Sequence, residues 1–350
     1  MEINREHISL LLTEPSDEAA LRAAGNDIPL SQRLSWLYIM ANVRENPLEE
    51  RYFQALDSGA AYSEYDACFA AAHRHLADYG LQVDRQGLAS DIIAMTQHIA
   101  ASITWDDLQF DPAHPHFIRY EFLASQLPAT MTLAAVCEAL DIVCIDCARN
   151  TATVKIAGYP VEIVTDDDSY ADLSLEEGER QASIALNAKD LRRLTVSEAL
   201  ELSHELGHCR HHLLSPHPCG DYGLPFWDTE LPAFNEEWRL CTRLSPGLDT
   251  RAWSIEAIKQ SLFALFPLLA PEQGVAEAFR NAVQVNPIYH RSRKQPEWLL
   301  EKTPLFVWSG VPYVHYFCSL SHFLLQHQPQ DTVLAQGLMR IQGRFSLYAS

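Results

Sequence analysis

Thr195-Val196-Ser197-Glu198-Ala199-Leu200-Glu201-Leu202-Ser203-His204-Glu205-Leu206-Gly207-His208-Cys209-Arg210-His211-His212-Leu213-Leu214 decides how this 350-residue chain is read. Thr195 and Glu198 have the spacing of a capping box, in which the hydroxyl takes the Glu198 N–H and the carboxylate reaches back to the N–H of Thr195. A helix is therefore expected from Val196. Ala199, Leu200, Leu202, Leu206, Cys209 and Leu213 supply apolar positions at helical spacing, and Pro216 stops the helix soon after Leu214. His204 and His208 sit in mid-helix, four residues apart on one face, so both imidazoles can reach one Zn²⁺ while Glu205 leans toward the water beside it.

Catalytic zinc requires three protein ligands and one open position, so a third ligand must come from elsewhere. A metzincin would carry Gly at 211 and His at 214, where this chain has His211 and Leu214. The gluzincin alternative takes a Glu from a following helix. Residues 215–229 contain Pro216, Pro218, Gly220, Gly223 and Pro225 and read as a loop; Thr229 can then cap a helix with Pro232 in its first turn, running to Leu244. Leu240 and Leu244 follow Glu236 by one and two turns, which places Glu236 on the inward stripe and makes it the preferred ligand, with Glu237 the alternative. His211, His212, His217, Asp221 and Asp228 are the rivals. With Zn²⁺ in place a bound water falls to a pKa near 7, and Glu205 is the general base that takes its proton. His211, His212 and Tyr222 are candidates for oxyanion stabilisation.

Upstream, Thr132 to Leu140 reads as a helix, and Ile142–Cys147, Thr151–Ile156, Val161–Thr165 and Ala182–Asn187 as strands. A turn is expected at Gly158-Tyr159-Pro160 and an acidic loop from Asp166 to Arg180. Cys144 and Cys147, three apart on a strand, are expected to face opposite ways. The fold class expected is α+β: a mostly helical chain with a small zincin-like metallopeptidase core, a few-stranded sheet plus the HExxH helix, flanked by helical regions. The divisions read are a helical N-terminal domain over 1–128, a metallopeptidase core over 129–246 and a helical region over 247–350 that packs on the core. Helices are expected around Leu34 to Ala41, Tyr65 to Leu76, Leu88 to Ile99, Ile255 to Phe266, Val275 to Val285, Val314 to Leu325 and Thr332 to Phe345.

Composition excludes other classes. Net charge is −20, and the first 128 residues hold no Lys and eight Arg against nineteen acidic residues, so no basic face is offered to nucleic acid. Eight Cys without a basic, apolar leader fit reduced thiols in a cytoplasmic protein. The strongest apolar run, Leu262 to Ala270, is short and interrupted by Pro267, so no membrane span is expected.

In combination, the helix and strand Thr132 to Val143, the strand Ala182 to Asn187 and the helix ending in HELGHCRHH resemble the ImmA/IrrE-type zinc metallopeptidases over residues 129–246. The resemblance implies a peptidase with His204 and His208 as ligands, Glu205 as base, Glu236 as third ligand, and a protein substrate of the regulator kind. Four positions depart from the family pattern: Asp141 stands where Gly is usual, Glu237 where a small residue is common, and Leu240-Cys241 where Phe-Ala is common. Two other functions use the same residues: a metal-binding sensor or interaction module without turnover, and a zinc hydrolase of a non-peptide amide.

Overall fold

The computed structural model describes residues 81–105, 117–176, 179–216, 224–291 and 314–347. The helices expected before residue 80, and Tyr222, His217 and Asp221, lie outside them. In chain order the elements are β1 (Leu81–Val83), α1 (Arg85–Ala101), α2 (Ile118–Ala124), β2 (Thr130–Met131), α3 (Leu133–Ala139), β3 (Val143–Cys147), β4 (Thr151–Ile156), β5 (Tyr159–Thr165), β6 (Tyr170–Glu176), β7 (Glu179–Leu186) and β8 (Leu194–Thr195). There follow α4 (Val196–Leu214), α5 (Leu231–Leu244), α6 (Arg251–Gln273), α7 (Val275–Val285), α8 (Val314–His327), α9 (Thr332–Gln342) and β9 (Phe345–Leu347). The chain is thus a mixed α+β fold, mostly helical, with a modest sheet. The described residues divide into two compact units.

The first unit takes the described residues of Arg119–Leu224 and Asp228–Thr250. Its sheet has the order β3-β4-β5-β7-β6, parallel between β5 and β7 and antiparallel elsewhere. Ala152, Val154 and Ile156 of β4 and Val161 and Ile163 of β5 are buried while their neighbours face outward, the period of two that a half-covered sheet imposes. Ala157 and Gly158, both at positive φ, make a two-residue hairpin between Ile156 and Tyr159. The turn therefore lies one residue earlier than expected, and Pro160 is already in β5, paired with Lys155.

Two further expectations are corrected. The acidic stretch read as a loop contains β6, which pairs with β7 along its whole length; its Asp residues mask the pattern, although Leu173 is buried. In β3 the register slips between Cys144 and Asp146, leaving Ile145 as the extra residue of a bulge. Cys144 then opposes Val154 and Cys147 opposes Ala152, two inward positions, so the pair shares a face instead of dividing between faces. The Cys137 thiol hydrogen-bonds to that of Cys144, and burial pushes Cys137 up to about 12, which marks these as protonated thiols.

Helix α4 packs across β7 and β6, burying the apolar positions read from the sequence, and its capping box is present in both directions: Thr195 Oγ1 accepts from Glu198 N at 3.3 Å, and Glu198 Oε2 accepts from Thr195 N at 2.6 Å. Helix α3 ends in a Schellman arrangement, with Ile142 N donating to Cys137 O at 2.8 Å and Asp141 in the left-handed region at φ 52°. That conformation explains why Gly would be at ease at 141. Asp tolerates it better than most residues, and its carboxylate also pairs with Arg239 and lies 3.7 Å from Arg243.

The second unit takes the described residues of Thr13–Ile118, Pro225–Trp227 and Arg251–Ser350. Here α1 packs on α6 and α9, and α6 also on α7 and α8. Leu88, Ile92, Met95 and Ile99 are the buried stripe of α1. Asp91 on the same helix accepts from Arg340 Nε at 2.8 Å and Arg344 Nε at 2.9 Å. Helix α6 runs on through Pro267, past the end expected at Phe266, because Phe266, Leu268 and Ala270 are all buried and packing outweighs the lost backbone bond. Helix α9 stops at Gln342, and Phe345, expected in it, pairs with Val83 in the β1–β9 ribbon. Among the described residues, no helix is long and apolar enough to cross a membrane.

Asp141→Ala keeps the left-handed strain and removes the bridge to Arg239, and is expected to lower stability by about 1 kcal/mol. Asp141→Gly relieves the strain while losing the bridge, so its thermal midpoint should stay closer to wild type; paired denaturation curves check this.

Candidate metal centre

The helix α4 presents His204 and His208 side by side, with ring centroids 5.1 Å apart and planes at 73°. Gly207, between them, faces helix α5. A Cβ built there would lie 2.6 Å from Ala233 Cα and 2.8 Å from Pro232 O, so only glycine lets the two backbones meet. This contact draws the first turn of α5 against the His pair. Glu230 is the N-cap of α5, its side chain makes no capping bond, and its carboxylate turns to the imidazoles.

Glu230 Oε2 lies 3.2 Å from His204 Nε2 and 3.3 Å from His208 Nε2. The three ligand atoms fall within 4.8 Å of one another, and this is the one such group of His, Cys, Asp or Glu among the described residues. Two imidazole nitrogens and a carboxylate oxygen form a donor set able to hold a divalent metal. Phe234 of α5 packs against His204, the ring centroids 5.4 Å apart and the planes at 71°.

The geometry places Glu236 and Glu237 outside this group. Glu236 Oε1 accepts from Arg210 Nε at 2.9 Å and lies 3.5 Å from Arg239 Nη1. Burial pushes its pKa upward, opposed by those two guanidinium groups. It faces inward, as its spacing from Leu240 predicts, but the carboxylate it brings inside pairs with arginines and does not reach the His pair. Glu237 Oε1 faces His204 Nδ1 at 2.9 Å, on the far side of the ring from Glu230, and its other oxygen pairs with Arg119. Neither the expected ligand nor its alternative therefore belongs to the cluster, and Glu230 does.

His211 and His212 also stand apart from it. His212 is fully buried and donates its Nε2–H to the carbonyl of Ser174 in β6 at 3.0 Å, which ties the end of α4 to the sheet. Glu205 is half-buried on α4, close enough for its charge to act on His204 and on Glu201. Sequence reasoning missed Glu230 because it sought a ligand on the interior stripe of the helix, and took Thr229 as the cap. Pro232 was the available signal: it marks the first turn and so leaves Glu230 at the helix mouth. Arg119 gave no signal at all, being distant in sequence and in a stretch read as a separate domain.

Burial disfavours charge on His204, but hydrogen bonds to Glu230 and Glu237 outweigh it and raise the imidazole to about 10. Burial likewise opposes charge on the two carboxylates, and their cationic neighbours, His208 and His204 for Glu230, Arg119 and His204 for Glu237, hold both below the usual range. No family model matches the chain, and no curated protein aligns with it significantly.

Gly207→Ala is expected to push α5 away from α4, costing about 1–3 kcal/mol and weakening metal uptake, read by thermal denaturation and metal titration. A second expectation concerns pH in metal-free protein. The raised His204 contributes stability fully below its ordinary 6.5 and loses it as pH climbs toward 10; the lowered Glu230 and Glu237 contribute above their ordinary 4.5 and lose it in acid. The site's contribution is therefore largest between about pH 4.5 and 6.5, and a pH series of melting curves in chelator should show it declining on both sides.

Proposed function

We propose that the protein is a zinc metalloprotein whose centre is His204, His208 and Glu230. The observation that carries this reading is the convergence of those three ligand atoms at the junction of α4 and α5. Two imidazoles and one carboxylate suit Zn²⁺, and three protein ligands leave a coordination position for an exogenous group. Metal-binding without turnover, as in a sensor or interaction module, needs nothing more than this set.

A second reading is favoured by Glu205, whose carboxylate a binding module does not require. On that reading the protein is a gluzincin-like hydrolase, akin to the ImmA/IrrE-type peptidases, acting on a protein substrate in the cytoplasm. A Zn²⁺ in the site would polarise a carbonyl and acidify a water. Glu205, next to His204 on the same helix, would take the proton from that water and return it to the leaving amine. A non-peptide amide would use the same groups, and only substrate choice separates the two.

Metal analysis of purified protein should find about one zinc per chain, lost in His204→Ala and Glu230→Ala, whereas Glu236→Gln retains it. Because metal must displace the protons that His204 and His208 carry in the metal-free site, apparent affinity should rise with pH through the range in which those imidazoles are protonated. Glu205→Gln is the discriminating variant. If the protein is a hydrolase, this variant keeps its zinc and loses at least about 10²-fold in turnover, and proteomes of cells expressing wild type or variant will differ in a cleaved protein. Equal proteomes with zinc bound in both favour the binding module, and absence of zinc from the wild type removes both readings.

A further inference from the structure

Zinc ligation by His204 requires a lone pair on Nε2, and a neutral imidazole supplies one only if its proton sits on Nδ1. The partner at Nδ1 decides this. That partner is Glu237 Oε1, at 2.9 Å, and the second oxygen of the same carboxylate is held by Arg119. Glu237 is 3% exposed and Arg119 4%, so neither exchanges its partner for water. Glu230 and Glu237 are seven residues apart, two turns along α5, and therefore on one face of the helix. From that face the two carboxylates grip one imidazole at its two nitrogens, Glu230 at 3.2 Å from Nε2 and Glu237 from Nδ1.

We propose that Glu237 and Arg119 form a positioning pair that sets the tautomer and ring orientation of His204, with Arg119 locking the carboxylate that locks the histidine. The inference rests on the zinc reading above and extends the metal-binding unit back to α2. Buried carboxylates are costly unless paired, and Glu237 uses its two oxygens for two separate duties, one toward the guanidinium and one toward the ring. Glu236, adjacent in sequence and equally buried, provides the contrast. Its carboxylate is spent on Arg210 and Arg239 and touches neither histidine.

The test compares zinc affinity, by chelator competition, and the visible spectrum of the cobalt-substituted protein in full-length wild type, Glu237→Gln, Arg119→Met and Glu236→Gln. Glu237→Gln should weaken zinc binding about 10–100-fold and alter the cobalt bands, Arg119→Met should shift both in the same direction, and Glu236→Gln should leave both unchanged even where it lowers the melting temperature. In zinc-loaded wild type, ¹⁵N spectra of the ring should place the His204 proton on Nδ1. Wild-type affinity and spectrum in Glu237→Gln overturn the proposal. So does an equal loss in Glu236→Gln, which would make the effect one of general destabilisation. Should Glu237→Gln not fold, the double variant Arg119→Met/Glu237→Leu removes both charges together; weaker zinc binding in it supports the pair, and unchanged binding overturns it. A wild type that takes up no metal fails the zinc reading itself, and this inference falls with it, a result distinct from a wild type that binds zinc as tightly as Glu237→Gln.

Discussion

The contact between Gly207 and the first turn of α5 is the constraint on which the centre depends. Helices with side chains at their crossing keep their axes about 8–10 Å apart, and a carboxylate at a helix mouth would then stand short of imidazoles on the partner. With hydrogen at position 207, the backbone of Ala233 fills the place a Cβ would occupy. The start of α5 is thereby brought beside His204 and His208, and Glu230 reaches both. The helix terminus contributes in its own right, since unsatisfied N–H groups favour a negative charge there. The glycine of HELGH thus has a mechanical role of its own, set by the close approach of α5.

Around that contact lies a set of buried ionisable groups that would be unfavourable one at a time. Arg119, Glu237, His204, Glu230 and His208 follow one another as alternating donors and acceptors, the three charged residues Arg119, Glu237 and Glu230 buried and the two imidazoles partly so. Such chains stabilise little in net terms, because desolvation offsets most of the attraction, but breaking one link leaves a buried charge without a partner. The arrangement therefore favours one geometry of the two imidazoles over its alternatives. A cation between the histidines and Glu230 would take the place of their direct contacts, and the outer links to Glu237 and Arg119 would remain as they are.

Local patterns carried much of this architecture in the sequence. The capping box at Thr195, the apolar period of α4, the bounds of α7 and the alternation in β4 all follow from short-range stereochemistry. The failures share a cause: a nonlocal partner overrode a local signal. Pairing with β7 makes a strand of residues whose charges read as loop, a bulge against β4 turns Cys147 to the side of Cys144, and burial carries α6 through Pro267. Glu230 belongs with these. Periodicity ranks residues by the face they present along a helix, and it is silent about residues at the end, where a side chain leaves along the axis.

The inward position of Glu236 and the presence of Asp at 141 have one physical explanation. Arg239 pairs with Asp141 on one side and approaches Glu236 on the other, and Arg210 bonds both Glu236 and the carbonyl of Leu140. These contacts pin the end of α3, where the chain passes through a left-handed residue, to the α4–α5 pair. A glycine at 141 would make the turn without help, and it would also leave Arg239 with one carboxylate fewer. With Asp there, the turn is held from outside by two arginines, and Glu236 is required inside to balance them. A carboxylate committed to two guanidinium groups is a poor metal ligand, because leaving them would strip two partly buried cations of their partner. Glu236 is therefore inward-facing for a structural reason, and the helix mouth is left as the place from which α5 supplies a carboxylate to the histidines.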